Sequence, residues 1–278
     1  MSCYKSKSAD FSVLMAVHYS DSSSFLDDAI SSIWDRQTLR PEQIVVVKDG
    51  EVTLQINNVL ERWRKKIGHS IFFVVELPTN GGLASALNAG LEVCRCDIVA
   101  RMDSDDVSLP LRFEKQICFM RNNENIVAIS SQVEECNLNL GEVHGVRKLP
   151  CNHEEIMLFA KKRSPLSHPA AVFRKQFIIE SGGYPDIRKG QDYALWSLLL
   201  SKGYRLANLP SVLLKMRCGQ ELHARRGLDY LKHEFDVLLF QKKIGFLSWF
   251  EFLRNLILKV FLRTSPIFVK KFVYKKFR

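Results

Sequence analysis

The sequence predicts an α/β fold: a Rossmann-like, mostly parallel sheet with helices on both faces, followed by a basic amphipathic helical extension. Three observations carry this. Short apolar β-type runs alternate with helix-period segments from residue 11 to residue 130. The chain has 278 residues, 46% hydrophobic and 25% charged, enough for one large domain or one domain with an appendage. The charge is uneven: residues 252–278 hold eight Lys/Arg and no Asp or Glu, so that of the net +10 only +2 belongs to the preceding 251 residues.

The elements follow in order. "FSVLMAV" (11–17) reads as a buried strand, and Asp21 or a serine at 22–24 caps a helix with apolar residues at 25, 26, 29, 30, 33 and 34. "QIVVV" (43–47) is the second strand, 52–66 a helix stopped by Gly68, and "IFFVV" (71–75) the third strand. After the turn "PTNGG" a helix runs from Leu83 to Cys94, and "DIVARM" is the fourth strand. A helix over 110–121 starts with Pro110 in its first turn, and "NIVAIS" (125–130) is the fifth strand. Right-handed βαβ units follow, with ligands at the carboxyl ends of the strands. Beyond, "ISSQVEEC" and "EVHGVRKL" around a turn at 139–141 predict a hairpin, "HPAAVFR" (168–174) a strand, and "QDYALWSLLLSKG" (191–203) a helix. Residues 222–241 predict an amphipathic helix, and apolar residues from 246 onward keep helical spacing. The main domain is therefore set at 1–218 and the helical, membrane-associating region at 219–278.

No run is long enough to span a bilayer, and no signal peptide is read at the N-terminus. Seven irregularly spaced cysteines without a C-x-x-C pair suggest neither zinc nor a disulfide framework. Reduced thiols in a cytoplasmic protein are the expectation.

The chemistry concentrates in "DIVARMDSDDVSLP" (97–110), where an apolar strand breaks into Asp103, Asp105 and Asp106. One Asp suffices to cap a helix. Three repel one another by about a kcal/mol per close pair, which a divalent cation relieves. A calcium loop of the EF-hand kind fails, because Val107 and Ser108 stand where a ligand and the turn glycine belong. Magnesium or manganese fits, held by one or two carboxylates and the oxygens of a diphosphate. No phosphate-cradling glycine loop is present to bind that diphosphate by itself.

Five segments, in order, resemble the inverting family 2 glycosyltransferases of the GT-A fold that assemble bacterial surface polysaccharides such as O-antigen. They are "FSVLMAVHYSD", "PEQIVVVKDGE", "NGGLASALNAGLEVCRCDIVARMDSDDVSLPLRFEKQ", "SPLSHPAAVFRK" and "SGGYPDIRKGQDYALWSLLLSKGYRLANLP". The resemblance implies that Ala16, His18, Asp49, Asn80 and Asp103 bind the nucleotide sugar, Asp49 accepting from the base of a uridine nucleotide. It implies that Asp103 and Asp105 hold Mn²⁺ or Mg²⁺, and that Asp192 is the general base. Asp106, His168 and Gln191 are candidate acceptor contacts, Asp106 otherwise supporting the turn and His168 otherwise packing. Three departures from the family pattern stand out: Lys48 for the first acid of a D-D pair, His18 for a stacking Tyr, and Gln191 for the Glu before the base.

The implied reaction moves a hexose, glucose or galactose, from a UDP-sugar to a hydroxyl of a polyprenyl-diphosphate-linked saccharide. The acceptor implies work at the inner face of the cell membrane, which the basic tail suits. Phe246, Trp249, Phe250 and Phe252 fit either a membrane face or packing on the body, and Lys161–Arg163 either an acceptor diphosphate or a solvated face. A nucleotidyltransferase is the rival enzyme, but "VHYSDSSS" lacks its Gly- and Lys/Arg-rich triphosphate loop. A nucleic-acid-binding protein is disfavoured by the near-neutral body and by Phe, Leu and Ile between the tail charges, so nucleic acid is not expected as a partner.

Overall fold

The computed structural model describes residues 10–219 and 228–265. The expected alternation is built: β1 (Phe11–Val17), α1 (Ser23–Trp34), β2 (Gln43–Lys48), α2 (Leu54–Ile67), β3 (Phe72–Glu76), α3 (Leu83–Val93) and β4 (Ile98–Met102). Then come β5 (Val107–Ser108), α4 (Arg112–Asn122), the hairpin β6 (Ile126–Cys136) and β7 (Val143–Arg147), and α5 (His153–Ala160). A 3₁₀ turn (His168–Ala170), β8 (Val172–Arg174), α6 (Lys175–Glu180), α7 (Gln191–Ser201), β9 (Arg205–Arg217), α8 (Leu228–Lys243) and α9 (Trp249–Thr264) complete the described chain.

One sheet runs β3-β2-β1-β4-β8-β6-β9-β5, with β7 on the side of β6. β1, β2, β3 and β4 pair in parallel, as do β6 and β9, while β8 is antiparallel to both its neighbours. The first strands read as unbroken apolar runs because both faces are covered. Phe11, Val13, Met15 and Val17 of β1 join the core beneath α1, α2 and α4. Leu14 joins Val45 and Val47 of β2 in the core beneath α3 and α7.

Local chemistry sets the helix ends. The Ser22 hydroxyl accepts from the Phe25 N–H at the start of α1, Thr53 does the same for Ile56 in α2, and Gly68 closes α2 at φ 103°.

Several expectations need correction. Only Val172–Arg174 of the expected 168–174 strand pairs in the sheet. Pro169 cannot donate to a ladder, and the Ala171 N–H turns back to the His168 carbonyl. The helix expected from Pro110 begins at Arg112. β5, α5 and α6 are additions to the elements expected from the sequence. Of the helix expected over 222–241, residues 222–227 lie outside the described residues, as do the tail residues 266–278. Leu238, Phe246, Leu247 and Phe252, from beyond residue 218, join the cluster beneath α3 and α7. Among the described residues no helix is long and apolar enough to cross a membrane.

Gly90 is where α3 approaches the sheet. A Cβ there would lie 2.3 Å from Leu14 Cδ1 and 2.7 Å from Val47 Cγ2. Gly90→Val is expected to lower unfolding stability by about 1–3 kcal/mol through overpacking, read as a lower urea midpoint with an unchanged m-value.

Candidate active site

Three strand ends converge. β1 delivers Ala16 and, just beyond its end, His18; β2 delivers Asp49; β4 delivers Asp103 and Asp105. Asn80 arrives on the turn into α3. Together they line one cavity of about 340 Å³, at the carboxyl ends of parallel strands where such sheets bind ligands. All five expected nucleotide-sugar residues and both expected metal ligands are thus in one place. Two surface cavities of similar volume differ in kind. One lies over α1 and α2, among the ion pairs Arg62–Asp27 and Lys66–Asp35. The other lies at the opposite strand ends, around Arg174–Asp97.

The Asp49 side of the cavity is tied together by hydrogen bonds. The Asp49 carboxylate accepts from the Gly81 N–H (2.7 Å) and the Gly82 N–H (3.0 Å), which fixes its plane at the start of α3. Gly50 sits at φ 80°, and a Cβ on it would lie only 2.8 Å from the Asn80 nitrogen, so a side chain would push the two loops apart. His18 is held through Nδ1 by Asp21 (2.7 Å) and through Nε2 by the Ser20 hydroxyl (2.8 Å). Asp21 also accepts from the Ser104 hydroxyl (2.9 Å), tying the β1 loop to the carboxylate loop. Lys48 turns away, pairing with Glu76 of β3 at 2.8 Å.

The carboxylate oxygens of Asp103, Asp105 and Asp106 lie within 4.8 Å of one another. Loss of surrounding water, then the Asp103 and Asp21 charges, push the Asp105 carboxyl up to about 6. Burial, then Asp103 and Asp105, push Asp106 well above the usual carboxylate range. An oxygen-only donor set that resists carrying its own full charge fits a hard divalent cation, and Asp103 and Asp105 at the cavity wall are the residues to hold it. Asp106 faces inward: it is 1% exposed and its Oδ1 accepts the Arg217 N–H at 2.9 Å, which is the turn-supporting position.

Arginines unforeseen from the sequence hold this loop. Arg101 of β4 is buried and donates through Nη2 to Asp103, while its Nε and Nη1 find no partner among the described residues. The Arg217 guanidinium donates to the Asp105 carbonyl, to Asp28 (2.5 Å) and to the Leu138 carbonyl (2.9 Å). The only sequence signal for Arg101 is a lone charge within the apolar run "IVARM".

Asp192 does not line the cavity. It stands in the first turn of α7, where the Ser164 hydroxyl reaches it at 3.5 Å. Burial raises its pKa, while the Tyr193 backbone N–H and the Arg101 charge pull it back. Arg101 therefore acts on both the carboxylate loop and Asp192. His168 is buried, its Nε2 3.1 Å from the Tyr184 hydroxyl and its ring edge-on to Trp196. Burial, then the Arg101 charge, hold its basicity well below normal. Gln191, the first residue of α7, is 6% exposed. Lys161 is engaged with the Phe246 carbonyl and Glu251, leaving Lys162 and Arg163 on the surface.

A mostly parallel sheet of this order, with three carboxylates at the end of β4, is the arrangement of the GT-A fold. The family model "Glycosyl transferase family 2" matches residues 12–182, and the chain belongs to that family; it is a glycosyltransferase. It is 37% identical over 267 residues, covering 96% of this chain and 95% of the other, to an Escherichia coli protein described as UDP-Gal:alpha-D-GlcNAc-diphosphoundecaprenol beta-1,3-galactosyltransferase. It is 36% identical to the amylovoran biosynthesis glycosyltransferase AmsE of Erwinia amylovora, over 96% of this chain and 99% of that one. The fold is shared with a mannosyltransferase from Pyrobaculum calidifontis solved with GDP-Man and Mn²⁺ (TM-score 0.66, 17% identity, 92% of this chain and 70% of that one).

Protons compete with a cation for Asp105. A carboxyl titrating near 6 must be ionised to coordinate, so Mn²⁺ affinity is expected to fall as pH drops below about 6, approaching tenfold per unit. Calorimetric titration at pH 5 and pH 7 checks this, with Asp105→Asn expected to bind weakly at both.

Proposed function

We propose that this enzyme transfers a hexose from a UDP-sugar, with inversion, to a hydroxyl of a lipid-diphosphate-linked saccharide in bacterial surface-polysaccharide assembly, at the inner face of the cell membrane. The observation that carries it is the meeting of Asp49, His18 and Asn80 with the Asp103–Asp105 pair around one cavity. The name of the Escherichia coli relative supports the donor and acceptor class, and makes UDP-galactose and a GlcNAc-diphosphate lipid the first pair to try. A structural neighbour, TarS of Staphylococcus aureus, has been solved with UDP (TM-score 0.63, 16% identity, 92% of this chain and 75% of that one).

The residues divide the work. Asp49, fixed by two backbone N–H groups, keeps lone pairs for a base N–H of the nucleotide. The His18 ring, held on both nitrogens, offers a flat surface to that base. Asp103 and Asp105 would hold Mn²⁺ or Mg²⁺, whose charge neutralises the departing diphosphate. Asp192 takes the proton of the attacking hydroxyl, a role typically worth ~10²–10⁴-fold. Its surroundings favour this, because desolvation raises its pKa and a raised pKa makes the carboxylate a stronger base. Attack opposite the leaving group inverts the anomeric centre.

A panel of UDP-hexoses incubated with the full chain and a synthetic GlcNAc-diphosphate lipid tests the reading, with product linkage read by NMR. Transfer should stop in EDTA and return with Mn²⁺ or Mg²⁺; full transfer in exhaustive chelator would sink the metal assignment. Asp192→Asn should bind UDP-sugar normally and lose ~10²-fold or more in kcat. If it turns over like the wild type, another carboxylate, Asp186 first, is the base. For the wild type, kcat should fall on acidification through the Asp192 pKa, at a pH above the ordinary carboxylate value because burial raises it.

A further inference from the structure

We infer that the outward face of α9 docks the enzyme on an anionic lipid bilayer. The inference takes its purpose from the lipid-linked acceptor proposed above, but it stands on a separate observation: α9 turns Phe252, Leu256, Asn255 and Arg263 to the body and leaves a second apolar stripe outside. A surface helix ordinarily buries its apolar stripe and shows water its polar one. Here Asn255 and Arg263 face the body, with Phe252 as the buried apolar anchor. Asn255 Nδ2 donates to the Lys161 carbonyl (2.6 Å), and Arg263 and Lys259 reach Glu234 of α8 at 2.8 and 3.1 Å. These polar contacts fix the rotation of the helix. A capping box between Ser248 and Glu251 fixes its start.

What they leave outside is Trp249, Phe250, Leu253, Ile257, Leu258, Val260 and Phe261, from 38% to 76% exposed. The spacing puts all but Leu258, which flanks it, on one stripe of a 16-residue helix, about 24 Å long. A contiguous apolar face of this kind marks an interaction site.

Charge identifies the occupant. Lys242 lies over the Trp249 ring at 4.8 Å, and Lys243 is exposed beside it. The sequence beyond the described helix, 266–278, adds five Lys/Arg and no acid. Aromatic and aliphatic side chains bordered by Lys and Arg suit the headgroup level of an anionic leaflet, which attracts the basic residues while the apolar ones insert. A second copy of the chain would bring two such basic segments together, which is unfavourable.

The face is also connected to the chemistry. Asn255 grips residue 161 of the segment whose Ser164 reaches Asp192. Docking through α9 therefore holds the base's own loop against the membrane, where the diphosphate of a lipid-linked acceptor lies.

The experiment uses the full chain and vesicles of phosphatidylcholine with or without phosphatidylglycerol. The wild type should sediment with the anionic vesicles and stay partly bound in high salt, because apolar insertion survives screening. Phe250→Ser/Ile257→Ser/Phe261→Ser should weaken binding by more than about tenfold and make what remains releasable by salt. The triple variant should keep the wild-type rate on a short water-soluble acceptor and slow on a lipid acceptor in vesicles. Quenching of Trp249 fluorescence by brominated lipid, with Trp249→Phe as reference, reads the same contact on the unaltered chain. Equal vesicle binding by wild type and triple variant, or absence of quenching, overturns the inference. So does a lipid-free wild-type dimer that the variant dissociates, or tighter vesicle binding on deletion of 266–278, which would make that segment the cover. Failure to transfer sugar to any lipid-linked acceptor, with vesicle binding still dependent on the stripe, counts against the proposed reaction and leaves the docking face standing.

Discussion

The ion pair between Arg101 and Asp103 sits where the sheet meets the carboxylate loop, and the rest of the site is arranged around it. Three carboxylates this close repel one another, and the protein opposes that with guanidinium groups delivered from three directions. Arg101 comes from β4. Arg217 comes from the end of β9. Arg112 of α4 donates to the Arg101 carbonyl at 2.6 Å and to the Ser108 hydroxyl at 2.9 Å, bracing the backbone on either side of the loop. Burying arginine costs desolvation, and burial pushes Arg112 down to about 9. The return is geometry: the loop that carries the three carboxylates is held in one shape. The same Arg101 charge also lowers the pKa of Asp192, against the larger opposing effect of desolvation.

The first half of the fold is legible because each of its strands is covered on both faces, which writes burial into the sequence as an unbroken apolar run. Asp49 and the D-x-D pair are legible for a related reason: charge at the end of such a run has few structural uses. The rest is hidden by locality. β5 has two residues, and α5 and α6 bury only Ile156 with Ala160 and Ile178, too few positions to define a period. Arg101 looks like an interruption of a strand, because its partner lies on a loop whose shape the sequence does not state. The surroundings of His168 are not visible in its own segment, since its partner Tyr184 arrives sixteen residues later.

α9 shows the limit of periodicity in another way. A helical wheel finds its apolar stripe and says nothing about which side faces the body. That choice is made by Glu234 on α8 and by the carbonyl of Lys161, groups that the helix meets only in the folded chain. Lys48 is a milder case. Where the family pattern has a second acid, the lysine finds Glu76 on the neighbouring strand, and Asp49 is left as the carboxylate facing the nucleotide side.

The hydrogen bond from the Arg217 N–H to Asp106 joins residues 111 positions apart, and β9, which ends there, lies parallel to β6 along nearly its whole length. During synthesis the carboxylate loop emerges from the ribosome well before the strand that braces it. Parallel pairing over such separations forms late. Until β9 pairs with β6, Asp106 lacks the backbone partner that braces the carboxylate loop, so the loop at the end of β4 takes its final shape only when the far end of the sheet is in place.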